Sequence, residues 1–444
     1  MKKLLIGLLA LGLVFSFSVP VMASDFSVSG TYRIRGWLDS NSPLYKDDAA
    51  SDAYYDQRLR VQPVFTVVDG LKVTCRFDAL EGIWGDDLRS PAADTGSGAY
   101  SGTTDGYGGY AGFADTGDGA INLDANVQFD KAYVTFMTAY GQIEAGFKST
   151  NVWGTDFGNT EDFVGEIDFA TKLSENVAVL IRVEKDIEGD SFQNNTIQDQ
   201  DQDAYIAAAR YMNEGVETGL LYKVVRNTTN EHVTQTLHTL SPYIKTTVGP
   251  AYIEGQIYYS TGDAEVDDVL KGYGYKDSDL SELQIYLMAK ADVGPGYVGG
   301  VFAYAEGDDN PIDNDVKGVL SGSDWNPCLI LFNDTQPTSV GSYATTGTAL
   351  DNAYLFQVFG GMSPVENLAI KAVLSYAYAD EELNNVDDDY GTEFDVTASY
   401  KIYDNLDYTV GFGYLFAGDY YKGSDNDNEI DDTYLLMNKL QVNF

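Results

Sequence analysis

Five arginines in the first fifth of the chain stand at alternate positions in three successive stretches: Arg33 and Arg35, Arg58 and Arg60, and Arg76 in line with Lys72 and Thr74. In an extended backbone, side chains two residues apart share a face, so each stretch sends its cations one way. A guanidinium group stays charged at every accessible pH, so the chemistry of such a row is the attraction and ordering of anions and water. A second charged stretch, residues 149–166, carries Asp156, Glu161 and Asp162 beside Trp153 and Phe157. Residues suited to covalent chemistry are sparse. There are two histidines, His232 and His238, with Ser241 the nearest hydroxyl for a Ser–His pair, and neither a Gly-x-Ser-x-Gly elbow nor a His-Glu-x-x-His helix is present. Cys75 falls in a strand-like segment and Cys328 in a long loop. Neither belongs to a haem or zinc motif, and both are expected to be unbridged and structural. Asp115–Asp124 and Asp425–Glu429 have calcium-like spacing, but the first lacks its leading acid and the second lacks the glycine, so no defined metal site is expected.

The elements that position these residues follow from composition and period. The chain opens with Lys2-Lys3, an apolar run from Leu4 to Phe15, and Val21-Met22-Ala23. This reads as a secretory signal peptide over residues 1–23, leaving one domain over 24–444. No later stretch supplies the 18 consecutive apolar residues of a membrane-spanning helix. Thirty-three Tyr, 21 Phe and 45 Gly, with few helix-forming runs, indicate an all-β chain. The formal charge is -41, and loss of Lys2 and Lys3 makes the exported chain more acidic still, which excludes nucleic acid as a partner. Many acids cluster in loop-like stretches, among them Asp199–Asp203, Asp387–Asp389 and Asp425–Asp432.

From Phe26 onward, segments of alternating polarity recur, separated in turn by short and long connections. The short ones include Asp69-Gly70, Thr138–Gly141, Asn213–Gly215, Gly249-Pro250 and Asp404–Asp407. The long ones include 39–53, 81–125, 149–166, 227–234, 307–351 and 419–431. This division yields about eighteen strands, or sixteen if the weaker segments 142–148, 167–173 and 204–212 are set aside. A sandwich has no reason to alternate its connections so regularly, whereas a transmembrane barrel has short turns at one end and long loops at the other. A Lys or Arg facing lipid at mid-bilayer costs about 2–4 kcal/mol, so the arginine rows must face the interior, with Tyr32, Ile34, Leu59, Val61, Val73 and Phe77 outside. The same sorting sets Leu283, Ile285 and Leu287 against Gln284, Tyr286 and Lys290. It also sets Phe394, Val396 and Ala398 against Glu393, Asp395 and Thr397.

The final stretch, Asp432–Phe444, places Tyr434, Leu436, Leu440, Val442 and Phe444 on one face. A terminal aromatic closing such a strand resembles the assembly signal of bacterial outer-membrane β-barrels, although Asn438 departs from that pattern. The order of strands and loops resembles the general porins over residues 24–444. The resemblance implies an antiparallel transmembrane β-barrel in the outer membrane of a Gram-negative cell, with periplasmic turns and extracellular loops. It further implies a water-filled channel for passive diffusion of small hydrophilic solutes and ions. The third outer loop, 149–166, would fold inward so that Asp156, Glu161 and Asp162 face Arg33, Arg35, Arg58, Arg60 and Arg76 across a constriction; the alternative is that the arginines pair locally with Asp56 or Asp78. Expected partners are lipid and lipopolysaccharide, the barrel-assembly machinery, and two further copies in a homotrimer, with Gly411, Gly413, Ala372 and Asn438 as candidate wall positions. No cofactor is expected beyond loose binding of divalent cations to acidic loops. The alternatives are a substrate-specific channel, an outer-membrane enzyme built on Ser241 and His238, and a secreted adhesin or surface-layer sandwich.

Overall fold

The computed structural model describes residues 25–46, 51–84, 127–189, 200–310, 312–318, 324–333, 340–382 and 385–444. The leader (1–23) and the calcium-like loop at 115–124 lie outside the described residues. The strands are β1 (Phe26–Ser40), β2 (Ser51–Val68), β3 (Leu71–Ile83), β4 (Val127–Met137), β5 (Gln142–Thr150), β6 (Asp162–Lys172), β7 (Val177–Ile187), β8 (Gln202–Asn213), β9 (Val216–Asn230), β10 (Val233–Val248), β11 (Ala251–Val266), β12 (Ser278–Val293), β13 (Gly296–Ala305), β14 (Asp315–Lys317), β15 (Ala353–Val365), β16 (Leu368–Ala379), β17 (Asp389–Tyr403), β18 (Leu406–Ala417) and β19 (Thr433–Asn443). All but β14 join antiparallel neighbours in one sheet, which closes where β19 pairs with β1, Thr31 against Asn443 through Ser40 against Tyr434. At the seam the Gly30 and Phe444 backbones exchange two hydrogen bonds, 2.8 and 3.0 Å. Closure leaves no strand edge among the eighteen. The short β14 pairs in parallel with the outer end of β12 and stands outside this ring.

Eighteen rather than sixteen strands form, because the three weaker segments all enter the wall as β5, β6 and β8. At one end the strands are joined by tight turns. Gly70, Gly215, Gly249 and Gly294 supply the positive φ, between 58° and 78°, that a two-residue hairpin needs. The other end carries the long connections, with one exception. The loop expected at 227–234 is mostly strand, since β9 runs to Asn230 and β10 starts at Val233. A one-turn helix, α1 (Asp268–Gly272), lies in the β11–β12 connection and is capped by Asp267.

The faces of the strands divide as their alternation requires. Ile167, Ile181, Leu220, Leu287, Val358, Leu374, Phe394 and Leu436 point outward and are exposed. Ser241, Gln256, Ser260, Glu282, Gln284 and Glu393 point inward and are at most 3 % exposed. A soluble barrel has the reverse polarity, so the outer surface is built for an apolar surrounding. Gly411 and Gly413 do not belong to that surface. A Cβ at either would meet the Leu329 side chain inside the barrel, which corrects their assignment as outer wall positions.

Candidate functional site: the barrel interior

Among the described residues, two connections turn into the barrel. The first, residues 151–161 between β5 and β6, reaches across to the wall at β10 and β11, five strands further round the barrel. There Trp153 Nε1 donates to the Ser241 carbonyl (2.9 Å) and the Thr155 N–H and hydroxyl donate to Gln256 Oε1 at 2.7 and 2.6 Å. Phe157 is buried, stacked on Tyr286 with ring centroids 5.2 Å apart. Ser241 and Gln256 lie midway along β10 and β11, so the loop sits deep in the interior.

The second connection was not singled out in the sequence. Residues 324–333, between β13 and β15, lie against the inward faces of β15–β18. Gln357 donates to the Pro327 carbonyl (3.0 Å), and three consecutive N–H groups, Leu329, Ile330 and Leu331, donate to the Glu393 carboxylate at 2.7–2.9 Å. The two loops join. The Asp324 N–H donates to the Asn159 carbonyl (2.9 Å), the Glu161 N–H donates to Asp324 Oδ2 (2.6 Å), and Trp325 meets Phe157 edge-on at 5.1 Å. Together they form a partition running from β3 and β4 to β17. Its signal in the sequence is the run Cys328-Leu329-Ile330-Leu331-Phe332, five apolar residues in a loop otherwise rich in Asp and Ser. A solvated loop has no use for such a run.

The five arginines share the inner wall of β1–β3, and each has a local acid within reach. Arg35 binds Asp56 (3.0 Å), Arg58 lies near Asp78 and Glu81 (3.8 and 3.5 Å), Arg60 binds Asp78 (2.7 Å), and Arg33 stands 3.9 Å from Glu81. Arg76 binds Asp130 (3.0 Å) and also the inward loop through Glu161 (3.3 Å). Lys131 completes that contact at 2.8 Å. Of the three acids expected to oppose the arginines, only Glu161 pairs with one. Asp162 is the first residue of β6 and accepts from Asn151 Nδ2 (2.9 Å). Asp156 is exposed on the loop and forms no ion pair among the described residues. Burial opposes ionisation of Glu161, but the Lys131 hydrogen bond and the charge of Arg76 outweigh it and hold the carboxyl below the usual carboxylate range.

The charged wall continues beyond the arginines. Lys148 contacts Glu144, Glu166 and Asp168 at 2.6–2.9 Å, while Arg182 contacts Glu166, Asp168 and Glu184 at 3.1–3.4 Å. Lys223 reaches Glu184 at 3.2 Å. These groups alternate in sign around β5–β9, so a polar solute there meets donors and acceptors in close succession.

The covalent alternative loses its geometry. Ser241 is fully buried on the inward face, whereas His238 points outward and hydrogen-bonds Tyr222 (2.8 Å), so the two cannot act on one substrate. Both cysteines are free. At the second calcium-like loop, Asp425 accepts from the Asp427 and Asn428 N–H groups and so caps its own turn. Among the described residues Cys328, Glu393 and Asp395 bring possible ligand atoms within 4.8 Å of one another. Glu393 is already committed to three backbone N–H groups, which suits an anchor better than a metal ligand. Along the final strand, Tyr434, Leu436 and Phe444 are exposed on the outer face and Leu440 and Val442 pair with β1 at the seam, while Asn438 covers Gly36.

No family model matches the sequence, and no curated protein is similar to it in sequence. Solved structures are similar in fold. Pseudomonas aeruginosa OccK8 (OprE) is 11% identical, with a TM-score of 0.54 over 95% of this chain and 98% of that one. Acinetobacter baumannii OccAB1 is 12% identical, with a TM-score of 0.54 over 94% and 96%. A BenF-like porin from Pseudomonas fluorescens is 11% identical, with a TM-score of 0.52 over 95% and 99%. The eighteen-stranded barrel described above therefore has the fold of the outer-membrane porins.

Proposed function

We propose that this chain is a channel of the bacterial outer membrane through which small hydrophilic solutes and ions diffuse. The observation that carries the reading is the inverted polarity of the wall: exposed apolar side chains outside, and paired charges inside around two inward loops. In hydrocarbon only a closed barrel satisfies every strand hydrogen bond, and a polar interior of this width holds water. Reconstitution into planar bilayers is expected to give stepwise, long-lived conductance. Folded protein that never conducts would overturn the reading.

A substrate-specific channel is the second reading. It is favoured by the second inward loop, which divides the interior further than a single constriction loop does. Liposome-swelling rates across solutes of graded size and charge separate the two: a smooth decline with size supports general diffusion, and a sharp preference within one size class supports selection.

The finer features rest on the resemblance and the charge pattern. We infer a cleaved leader ending at Ala23, recognition of β19 by the barrel-assembly machinery, and acidic outer loops that hold divalent cations beside lipopolysaccharide. We also infer a homotrimer, which would run as a heat-sensitive species on a denaturing gel; cross-linking that finds monomer alone would count against it. The acidic rim favours cations and the arginine wall anions. Rim charges act over a Debye length of about 10 Å at 0.1 M salt. The expected selectivity is a modest preference for cations that fades as salt rises.

A further inference from the structure

The second inward loop is anchored on two carboxyl groups that form no ion pair among the described residues. Glu393 Oε1 accepts from Leu329 and Ile330, and its Oε2 accepts from Leu331. Three N–H groups converging on one carboxylate suit its ionised form. Asp395 lies two residues along β17 on the same inward face and accepts from the Leu329 N–H through Oδ2 (3.3 Å), while its Oδ1 has no hydrogen-bond partner among the described residues. One oxygen of each carboxyl and the Cys328 sulfur lie within 4.8 Å of one another, and Glu393 and Asp395 are 0 % and 3 % exposed.

The groups facing this pair come from every neighbouring element. From the loop, Cys328 donates to Ser375 Oγ; from β15, Gln357 donates to the same oxygen and to Cys328. From the turn after β18, the buried Tyr421 hydroxyl lies against Thr346. Lys371 of β16 is the cation whose charge reaches Asp395, but it forms no ion pair there and its ammonium lies over the Phe359 ring. Two like charges this close, buried and without a paired cation, cannot both persist.

We propose that Asp395 and Glu393 hold one proton between them, Asp395 donating to the Glu393 carboxylate, and that this shared proton latches the loop 324–333 to the barrel wall. The sign follows by linkage. The latched form binds one more proton than a released form in which both carboxyls meet water and ionise near their ordinary values of about 4. Rising pH therefore favours release, which frees the three loop N–H groups and uncovers the Cys328 thiol. This device goes beyond the channel reading, and its test does not depend on conduction.

The test measures the reaction of Cys328 with a water-soluble methanethiosulfonate on the full chain in detergent, in a Cys75→Ser background. The comparison is Asp395→Asn, whose amide donates to Glu393 at every pH in place of the shared proton. Both proteins carry the same thiol, so their ratio cancels most of that group's own ionisation. Equal, slow labelling of the two is expected at about pH 6. At about pH 9 the protein that retains Asp395 is expected to label at least about tenfold faster than the Asp395→Asn variant. A ratio near one throughout would overturn the latch. So would exposure of Cys328 at neutral pH on adding a chelator, because a bound metal would then hold the pair. Hydrogen exchange at Leu329–Leu331 in the unaltered chain needs no variant. Protection there is expected to fall with pH beyond what intrinsic exchange explains, and unchanged protection would refute the proposal.

Discussion

Lys131 Nζ stands 2.8 Å from Glu161 Oε1 because β4 carries a bulge at that point. Arg76 pairs with Lys131 and Phe77 with Phe129, so Asp130 is the extra residue and both neighbouring charges turn inward. Strict alternation would have aimed one of them at lipid. The bulge thus gives Arg76 its wall partner, Asp130, and gives the inward loop its second cation.

We predict that Lys131→Ala and Glu161→Gln each loosen the loop 151–161 without unfolding the barrel. Both side chains are only part-buried, so the loss is expected to be about 1–2 kcal/mol, between the values for exposed and buried pairs. The measurement is single-channel conductance, expected to rise and become noisier in both variants. Unchanged conductance in both would place the constriction elsewhere.

The Glu161 contact also sets an acid limit. Its carboxyl is held below the usual carboxylate range, so its contribution is full above the unfolded value of about 4.3 and is lost only as pH falls through the lower folded value. The loop is therefore expected to keep its full anchorage at mildly acidic pH and to loosen, as in Glu161→Gln, in more strongly acidic solution, with Trp153 and Thr155 still docked. Hydrogen exchange at the Asp324 N–H, which donates to the Asn159 carbonyl, and at the Glu161 N–H reports this without any substitution. A transition at or above the ordinary glutamate range would contradict the assignment.

How much of this was legible in the sequence differs between wall and interior. Alternation sets strand faces because one wrong residue in lipid is costly, and so it places Arg33 to Arg76, Gln284 against Leu283 and Glu393 against Phe394 from the sequence alone. Alternation fails at a bulge, which is why Lys131 was missed. It says nothing of loops, whose course depends on the wall they meet. Asp156 and Asp162 have the same charge as Glu161, yet only Glu161 arrives opposite Arg76 once Trp153 and Thr155 have docked on β10 and β11.

Trp325 joins the two inward loops, edge-on to both Phe157 and Tyr286 at 5.1 and 5.4 Å. Trp325→Ala is expected to cost about 3 kcal/mol of local stability, at the low end for a large aromatic because the side chain is only partly buried. Limited proteolysis should then cut both loops faster than in the unaltered chain, whereas cutting in residues 324–333 alone would show that the loops dock independently.

The seam between β1 and β19 allows the last prediction. A Cβ at Gly30 would lie 2.5 Å from the Arg60 carbonyl oxygen and 2.6 Å from the Phe444 ring. The ring can turn aside, but the carbonyl belongs to the β1–β2 ladder and cannot, so Gly30→Ala must spread the wall where the barrel closes. Overpacking of this kind costs about 1–3 kcal/mol. Phe444→Ala removes only a half-exposed ring and leaves both seam hydrogen bonds in place, so the closed barrel should tolerate it better. Refolding yield in detergent, read as heat-modifiable gel mobility, is expected to fall more for Gly30→Ala than for Phe444→Ala. If Phe444→Ala refolds well in detergent yet accumulates poorly in the outer membrane, the terminal aromatic acts in delivery rather than in closure. Equal yields for Gly30→Ala and the unaltered chain would mean that the seam is looser than these contacts require.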